Sequence, residues 1–334
     1  MMNMKYKYTL VLVVIVLLGS AGCKKEFLNT KIDTFETPGS IATDRTTLFS
    51  FGNAFYTSLQ YGFTALDNNI FAAASDEAQQ TSAISNAMIF NEGSLNPNNN
   101  PDGGIYKTLY DGIRAANFFL QYSLNGRKFL ALNRDTVTDS VNYHLDIQNL
   151  NWYIAEAHIA RAYYYSELIK RWGGVPIITS TLQQAPGEYV AKSSYDNVVA
   201  YIVSEIDNNK ANLQVNWKTS SFANNDGRFS LGSALAIKAR VLLYAASPLH
   251  NPTNDVTKWQ AAAAAAEAVM TTPGLNYSLA TNGYGNYFIG SNPLNSNETI
   301  FAVRRPANNT PEVDNYPIAT PGGQSGEAPS NNLV

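Results

Sequence analysis

NWYIAEAHIARAYYYSELIKRWGGVPIIT, residues Asn151–Thr179, has the marks of a helix enclosed by other helices. At about 100° per residue, Trp152, Ala155, Ile159, Ala162 and Tyr163 fall on one face. Ile154, Ala157, Tyr165 and Leu168 fall largely on the other. Only Glu156, Arg161, Glu167, Lys170 and Arg171 are expected to reach water. Lys170 and Arg171 suit the negative end of the helix dipole. Alanines between the aromatics let neighbouring helices approach closely while the rings fill the gaps. Gly173-Gly174 supplies a left-handed stop, and Pro176 prevents a restart before the extended Val175–Thr179. Such a helix is suited to a helical array.

Working outward, Thr43–Tyr61 reads as a first helix, with Leu48, Phe51, Phe55 and Leu59 on one stripe and Asp44 near its positive start. Phe63–Asn100 has poor periodicity, and Asn96–Gly104 (NPNNNPDGG) is an exposed loop. Ile105–Tyr122 resumes helical spacing, with Asn117 in its middle beside Arg114. The polar stretch from there to about Asp146 reads as a loop. Ser194–Leu213 is the next helix, with Ser193 or Ser194 as N-cap. A polar connector carrying Trp217 leads to Ser230, the expected N-cap of Leu231–Ser247. Asp255–Met270 follows, stopped by Pro273-Gly274. These paired helices have the length of tetratricopeptide units, although the tetratricopeptide consensus is absent. The fold class expected is mainly α, a tetratricopeptide-like helical-repeat scaffold.

Composition limits the function. The 334 residues carry 45% hydrophobic and 15% charged side chains with a net charge of −3. A nucleic-acid binder would need a basic patch or stripe. The polar remainder is rich in Asn, Ser and Thr and comes with 20 Tyr and 4 Trp, as expected of a secreted protein meeting neutral polar ligands. Lys5 and Lys7 precede a short apolar core, Thr9–Leu18, too short to span a bilayer. Gly19-Ser20-Ala21-Gly22 and then Cys23, the single cysteine, look like a bacterial lipobox, with Ser20 standing where a leucine-like residue is usual. The expectation is a signal peptide over 1–22, a lipid on Cys23 and a tether over 23–40. An ordinary signal peptide leaving a free thiol is the alternative. One cysteine excludes a disulfide within the chain.

The blocks RAYYYSELIKRWGGVPIIT (Arg161–Thr179), GRFSLGSALAIKARVLLYAASP (Gly227–Pro248) and WQAAAAAAEAVM (Trp259–Met270) resemble the SusD/RagB family. Leu275–Leu279, Asn297–Phe301, and Phe27-Leu28 shortly after the cysteine are similar too. The resemblance implies tetratricopeptide-like helix pairs supporting a loop-rich ligand face over residues 41–334. It implies a lipoprotein of the outer-membrane surface that binds oligosaccharide and passes it to a SusC-like TonB-dependent transporter. Family members usually continue well past the end of this sequence, so the chain is expected to lack the C-terminal part. The same scaffold serving peptide or another nutrient, or acting only as a lid on the transporter, is the rival reading.

Catalytic motifs are not apparent. His144, His158 and His250 have no metal-ligand spacing, and no nucleophile elbow, P-loop or cysteine nucleophile is present. His158 reads as a packed core histidine. Asp76-Glu77 has no nominated second carboxyl for glycoside hydrolysis, and a loop-ordering role suits it better. No enzyme activity, cofactor or metal is expected. Sugar binding calls for aromatic faces and planar amides or carboxylates in loops. Trp152, Trp172 and Trp259 belong to helices and read as core. Trp217, in a polar connector, and Tyr284 and Tyr287, in NGYGNYF (Asn282–Phe288), are the ring candidates. Asn68, Asp76 and Gln79 are polar candidates, and Arg304 could supply donors or sit in a buried ion pair.

Overall fold

The computed structural model describes residues 44–60, 71–81, 85–101, 103–182, 189–219, 225–281, 283–289, 296–303 and shorter pieces up to 332. The helices are α1 (Arg45–Ala54), α2 (Asn86–Asn91), α3 (Gly103–Ser123), α4 (Gly126–Ala131) and α5 (Ser140–Trp172). They continue with α6 (Tyr195–Asn209), α7 (Leu231–Ala246), α8 (Val256–Thr271) and the single turn α9 (Tyr284–Tyr287). β1 (Ala78–Gln80) pairs antiparallel with β2 (Glu327–Pro329), Gln79 opposite Ala328. Among the described residues no helix is long and apolar enough to cross a membrane.

The array is built around α5, whose 33 residues span about 50 Å. It packs between α3 and α6; α6 packs on α7, and α7 on α8. Tyr164, Tyr165, Ile159 and Leu168 of α5 are fully buried. Phe55, Phe119 and Tyr153 form a ring cluster where α1 and α3 meet α5, with centroids 5.8 to 6.4 Å apart. Helix starts follow the sequence. Asp44 accepts from the Thr47 N–H, Ser194 from Asn197 and Asp255 from Thr257. Ser230 and Ser233 form a reciprocal capping box at α7. Gly173, at φ +66°, ends α5.

The extended segment after α5 takes its hydrogen bonds largely from side chains. Tyr110 donates to Pro176 O at 2.7 Å, the Ile178 N–H donates to the Tyr165 hydroxyl at 2.7 Å, and Asn117 donates to Ile178 O at 3.1 Å. A buried backbone must be paired somewhere, and here α3 and α5 provide the partners.

Three expectations need correction. The stretch between α3 and Asp146 is not simply a loop: it contains α4 and the first turns of α5. Its apolar period is weak because ion pairs hold it instead. Arg134 bridges Asp139 and Asp146, and Arg45 donates to Asp146 at 2.7 and 2.8 Å. Glu156, Arg161 and Glu167 do not reach water; they are 0%, 4% and 5% exposed and each has a charged partner. Trp259 is not core. It is 38% exposed and donates to Asn254.

Candidate functional site

Gly283, at φ +82°, turns the chain into α9 and presents its rings outward. Tyr284 is 84% exposed and Phe288 59%, and they meet edge to face at 5.0 Å. Tyr287 is half-buried, and its hydroxyl pairs with the Thr299 hydroxyl. Thr299 is itself pinned, because the Lys218 ammonium donates to Thr299 O at 2.9 Å and to Ser296 O. Burial pulls the Lys218 amine below its ordinary value.

Beside this turn lies a cleft of about 550 Å³. α5 contributes Tyr163 and Glu167, and α7 contributes Ser233, Ala236, Ile237 and Arg240. Tyr287 and the segment Glu298, Thr299, Ile300, Phe301 and Val303 complete the wall. Phe301 stacks on Phe229 at 4.9 Å, and Phe229 on Tyr56 at 5.4 Å, so an aromatic column stands behind it. Ring faces and a few fixed polar groups at a concave surface are what a small polar ligand needs. Acid catalysis does not fit Glu167. Burial raises its carboxyl, but Lys170, Arg171 and Arg240 outweigh burial and hold it below the ordinary value, so it has no proton to give near neutral pH.

A second cluster backs the column. The Arg228 Nε donates to Glu156 at 2.9 and 3.1 Å, Nη2 lies 2.9 Å from Glu156 Oε1, and Nη1 donates to Asn149. The guanidinium lies 3.9 Å from the Tyr153 ring centre and 4.2 Å from that of Trp217. The Tyr56 hydroxyl donates to Glu156 and accepts from the Phe229 N–H. Burial pushes the Glu156 carboxyl up, against the pull of Arg228. Glu156, in turn, overcomes burial to raise Arg228.

The sequence candidates separate. Tyr284 and Tyr287 share α9, and Tyr287 lines the cleft. Trp217 is buried, with its indole N–H donating to Phe229 O at 2.9 Å, so it packs the connector and offers no face to a ligand. Asp76 and Gln79 are exposed at the two-stranded ribbon, where Asp76 O accepts from the Ser330 hydroxyl. The ribbon contributes no described residue to the cleft. Asn68, Arg304 and Cys23 lie outside the described residues. Trp172 is half-buried against Tyr106. His158 is half-buried and meets Glu205 at 3.0 Å, with Arg161 on the same carboxylate at 2.6 Å. Arg240, Glu167 and Phe301 carry no local sequence signal of a site, because two helices and a later segment, distant in sequence, form one wall.

Glu167 and Glu205 make stability depend on acid. Burial raises both carboxyls, and their cationic partners more than reverse it, leaving folded values below the unfolded one. Their contribution is present above the unfolded value, about 4.3, and is lost as pH falls through the folded values. Glu156, raised by burial, works in the opposite direction. The melting temperature is expected to hold from about pH 7 to 5 and to fall below about pH 4, less steeply in Glu205→Gln. Melts across that range check it.

The profile of the SusD-like family described as "starch-binding associating with outer membrane" matches residues 26–243, well over half the chain. The chain belongs to the SusD-like family. A SusD-like protein of Formosa agariphila is 33% identical over 93 residues, 28% of this SusD-like chain and 17% of that one. A SusD-like carbohydrate-binding protein of Bacteroides fragilis superposes with TM-score 0.62 at 19% identity, covering 87% of this chain and 52% of that one. A SusD homolog of Bacteroides thetaiotaomicron gives TM-score 0.57 at 25% identity, with 76% and 44% covered. The chain spans about half the length of these solved structures, and its helical scaffold is theirs.

Proposed function

We propose that this SusD-like protein is a glycan-binding lipoprotein of the cell surface and performs no chemistry on its ligand. It would hold oligosaccharide at the α9 turn and the adjoining cleft and pass it to a SusC-like TonB-dependent outer-membrane transporter. Lipid on Cys23 would anchor it to the outer membrane. The observation that carries this reading is the exposed Tyr284–Phe288 ring pair beside a cleft with polar groups, on a family scaffold described as starch-binding. Exposed aromatic rings cost solvation unless something covers them, and the apolar face of a pyranose is a suitable cover.

Affinity electrophoresis of the full chain in detergent, through gels containing plant, host and microbial glycans, tests it. Retardation on at least one glycan is expected, reduced about tenfold or more in Tyr284→Ala/Phe288→Ala at unchanged melting temperature. Mobility unchanged on every glycan would favour a peptide ligand or a lid without a glycan site of its own.

A further inference from the structure

We infer that the cleft between α5 and α7 selects a saccharide bearing a carboxylate, with Arg240 as the group that reads the charge. This rests on the glycan-binding reading above and specifies its ligand class.

The charge arrangement around Glu167 supports the inference. Its Oε2 takes Lys170 at 2.6 Å and Arg171 at 2.9 Å, so those two cations satisfy this oxygen. Arg240 reaches only the other oxygen, through one long contact of 3.3 Å. That is its single described hydrogen bond, and its side chain is 47% exposed on the cleft wall. Three cations therefore share one buried carboxylate. Glu298 stands on the same cleft wall, its carboxylate accepting from the Ala280 N–H; Glu167 and Glu298 together face Lys170, Arg171 and Arg240, a surplus of one positive charge of which only Arg240 lines the cleft.

A guanidinium has five N–H donors in a fixed fork, matched to a carboxylate that accepts two of them side by side. Arg240 uses one of the five weakly. A neutral saccharide would meet the rings but leave the excess charge unanswered. A uronic acid would place its ring on the aromatic wall and its carboxylate on the free side of the fork. Partial burial weakens screening by salt, so the preference persists at moderate ionic strength and fades at high.

Esterification makes the test direct. Uronate polysaccharides, among them polygalacturonate, alginate and a glucuronate-bearing xylan, are each paired with their methyl-esterified or carboxyl-reduced form. Sugars and linkages are nearly conserved within a pair, while the charge is removed. The full chain is expected to bind at least one acidic member about tenfold tighter than its neutral partner. Arg240→Gln abolishes that preference, and Arg240→Lys, which keeps the charge without the fork, retains part of it. Glu167 keeps Lys170 and Arg171 in both variants, and their melting curves should match the wild type. Equal retention within every pair, binding to neutral glycans only, or a preference surviving Arg240→Gln overturns the inference and leaves glycan binding standing. No retention on any glycan overturns both.

Discussion

Arg228→Ala is expected to lower the unfolding midpoint by on the order of 10 °C. Glu156 is 0% exposed, and Arg228 is its charge partner, with Nε donating to both carboxylate oxygens and Nη2 2.9 Å from Oε1. Without the guanidinium, the carboxylate keeps only the Tyr56 hydroxyl. Breaking a buried ion pair from one side costs about 3–5 kcal/mol, because the surviving charge is left uncompensated. In a domain of this size each kcal/mol is worth about 2–4 °C. Loss of the cation between the rings of Tyr153 and Trp217 adds to this. The double variant Arg228→Met/Glu156→Leu should recover most of the loss, since apolar replacements of a buried pair are often neutral or stabilising. Thermal melts of Arg228→Met, Glu156→Leu and the double variant form the cycle that isolates the coupling. A fall of less than about 2 °C in Arg228→Ala would mean that the cluster does not hold the connector before α7 to α5.

Such a pair was beyond the reach of a sequence reading. Helical periodicity treats every charged residue as a solvent-facing one, and this holds only where the partner is water. Glu156 pairs with a residue 72 positions later, and Arg161 with one 44 positions later. Those partners fold against α5 through contacts that no local window contains. The opposite failure occurred at the start of α5. There the residues are polar because they are exposed, and periodicity alone cannot tell an ion-paired helix from a loop. Trp217 and Trp259 exchanged roles for the same reason. A polar connector proved to be folded into the core, while α8 left its own tryptophan partly in water. What was legible had a local cause: the capping serines, the glycine after Trp172, and the glycine-flanked rings of α9. The cleft wall was not legible, since α5, α7 and the 298–303 segment meet only in three dimensions.

The adjacent glycines after α5 have different physical roles, and substitution separates them. Gly173 sits at φ +66° and ψ −130°, a region that L side chains rarely adopt, with nothing near its missing Cβ. Gly173→Ala should therefore cost only backbone strain, about 1–3 kcal/mol, and loosen the last turn, where its N–H bonds Ile169 O. Gly174 needs space. A Cβ there would lie 2.1 Å from Ser193 O and 3.1 Å from the carbonyl carbons of Ser193 and Ser194. These are backbone atoms, and no side chain can rotate away to make room. The segment is also fixed from the other side by Tyr110, Tyr165 and Asn117, so retreat from Ser193 would stretch those bonds. Gly174→Ala is thus expected to cost about 3 kcal/mol or more, at the upper end of overpacking effects. It should also break the Ser193 N–H bond to Val175 O and disturb Ser194, the cap of α6. Hydrogen exchange gives the local readout. Faster exchange at Ser193 and through the first turn of α6 is expected in Gly174→Ala, and faster exchange confined to the end of α5 in Gly173→Ala. Equal melting temperatures and the same exchange pattern in both would reduce the second glycine to a spacer. The larger loss at Gly174 would instead show that close backbone approach, more than the turn itself, holds α6 against α5.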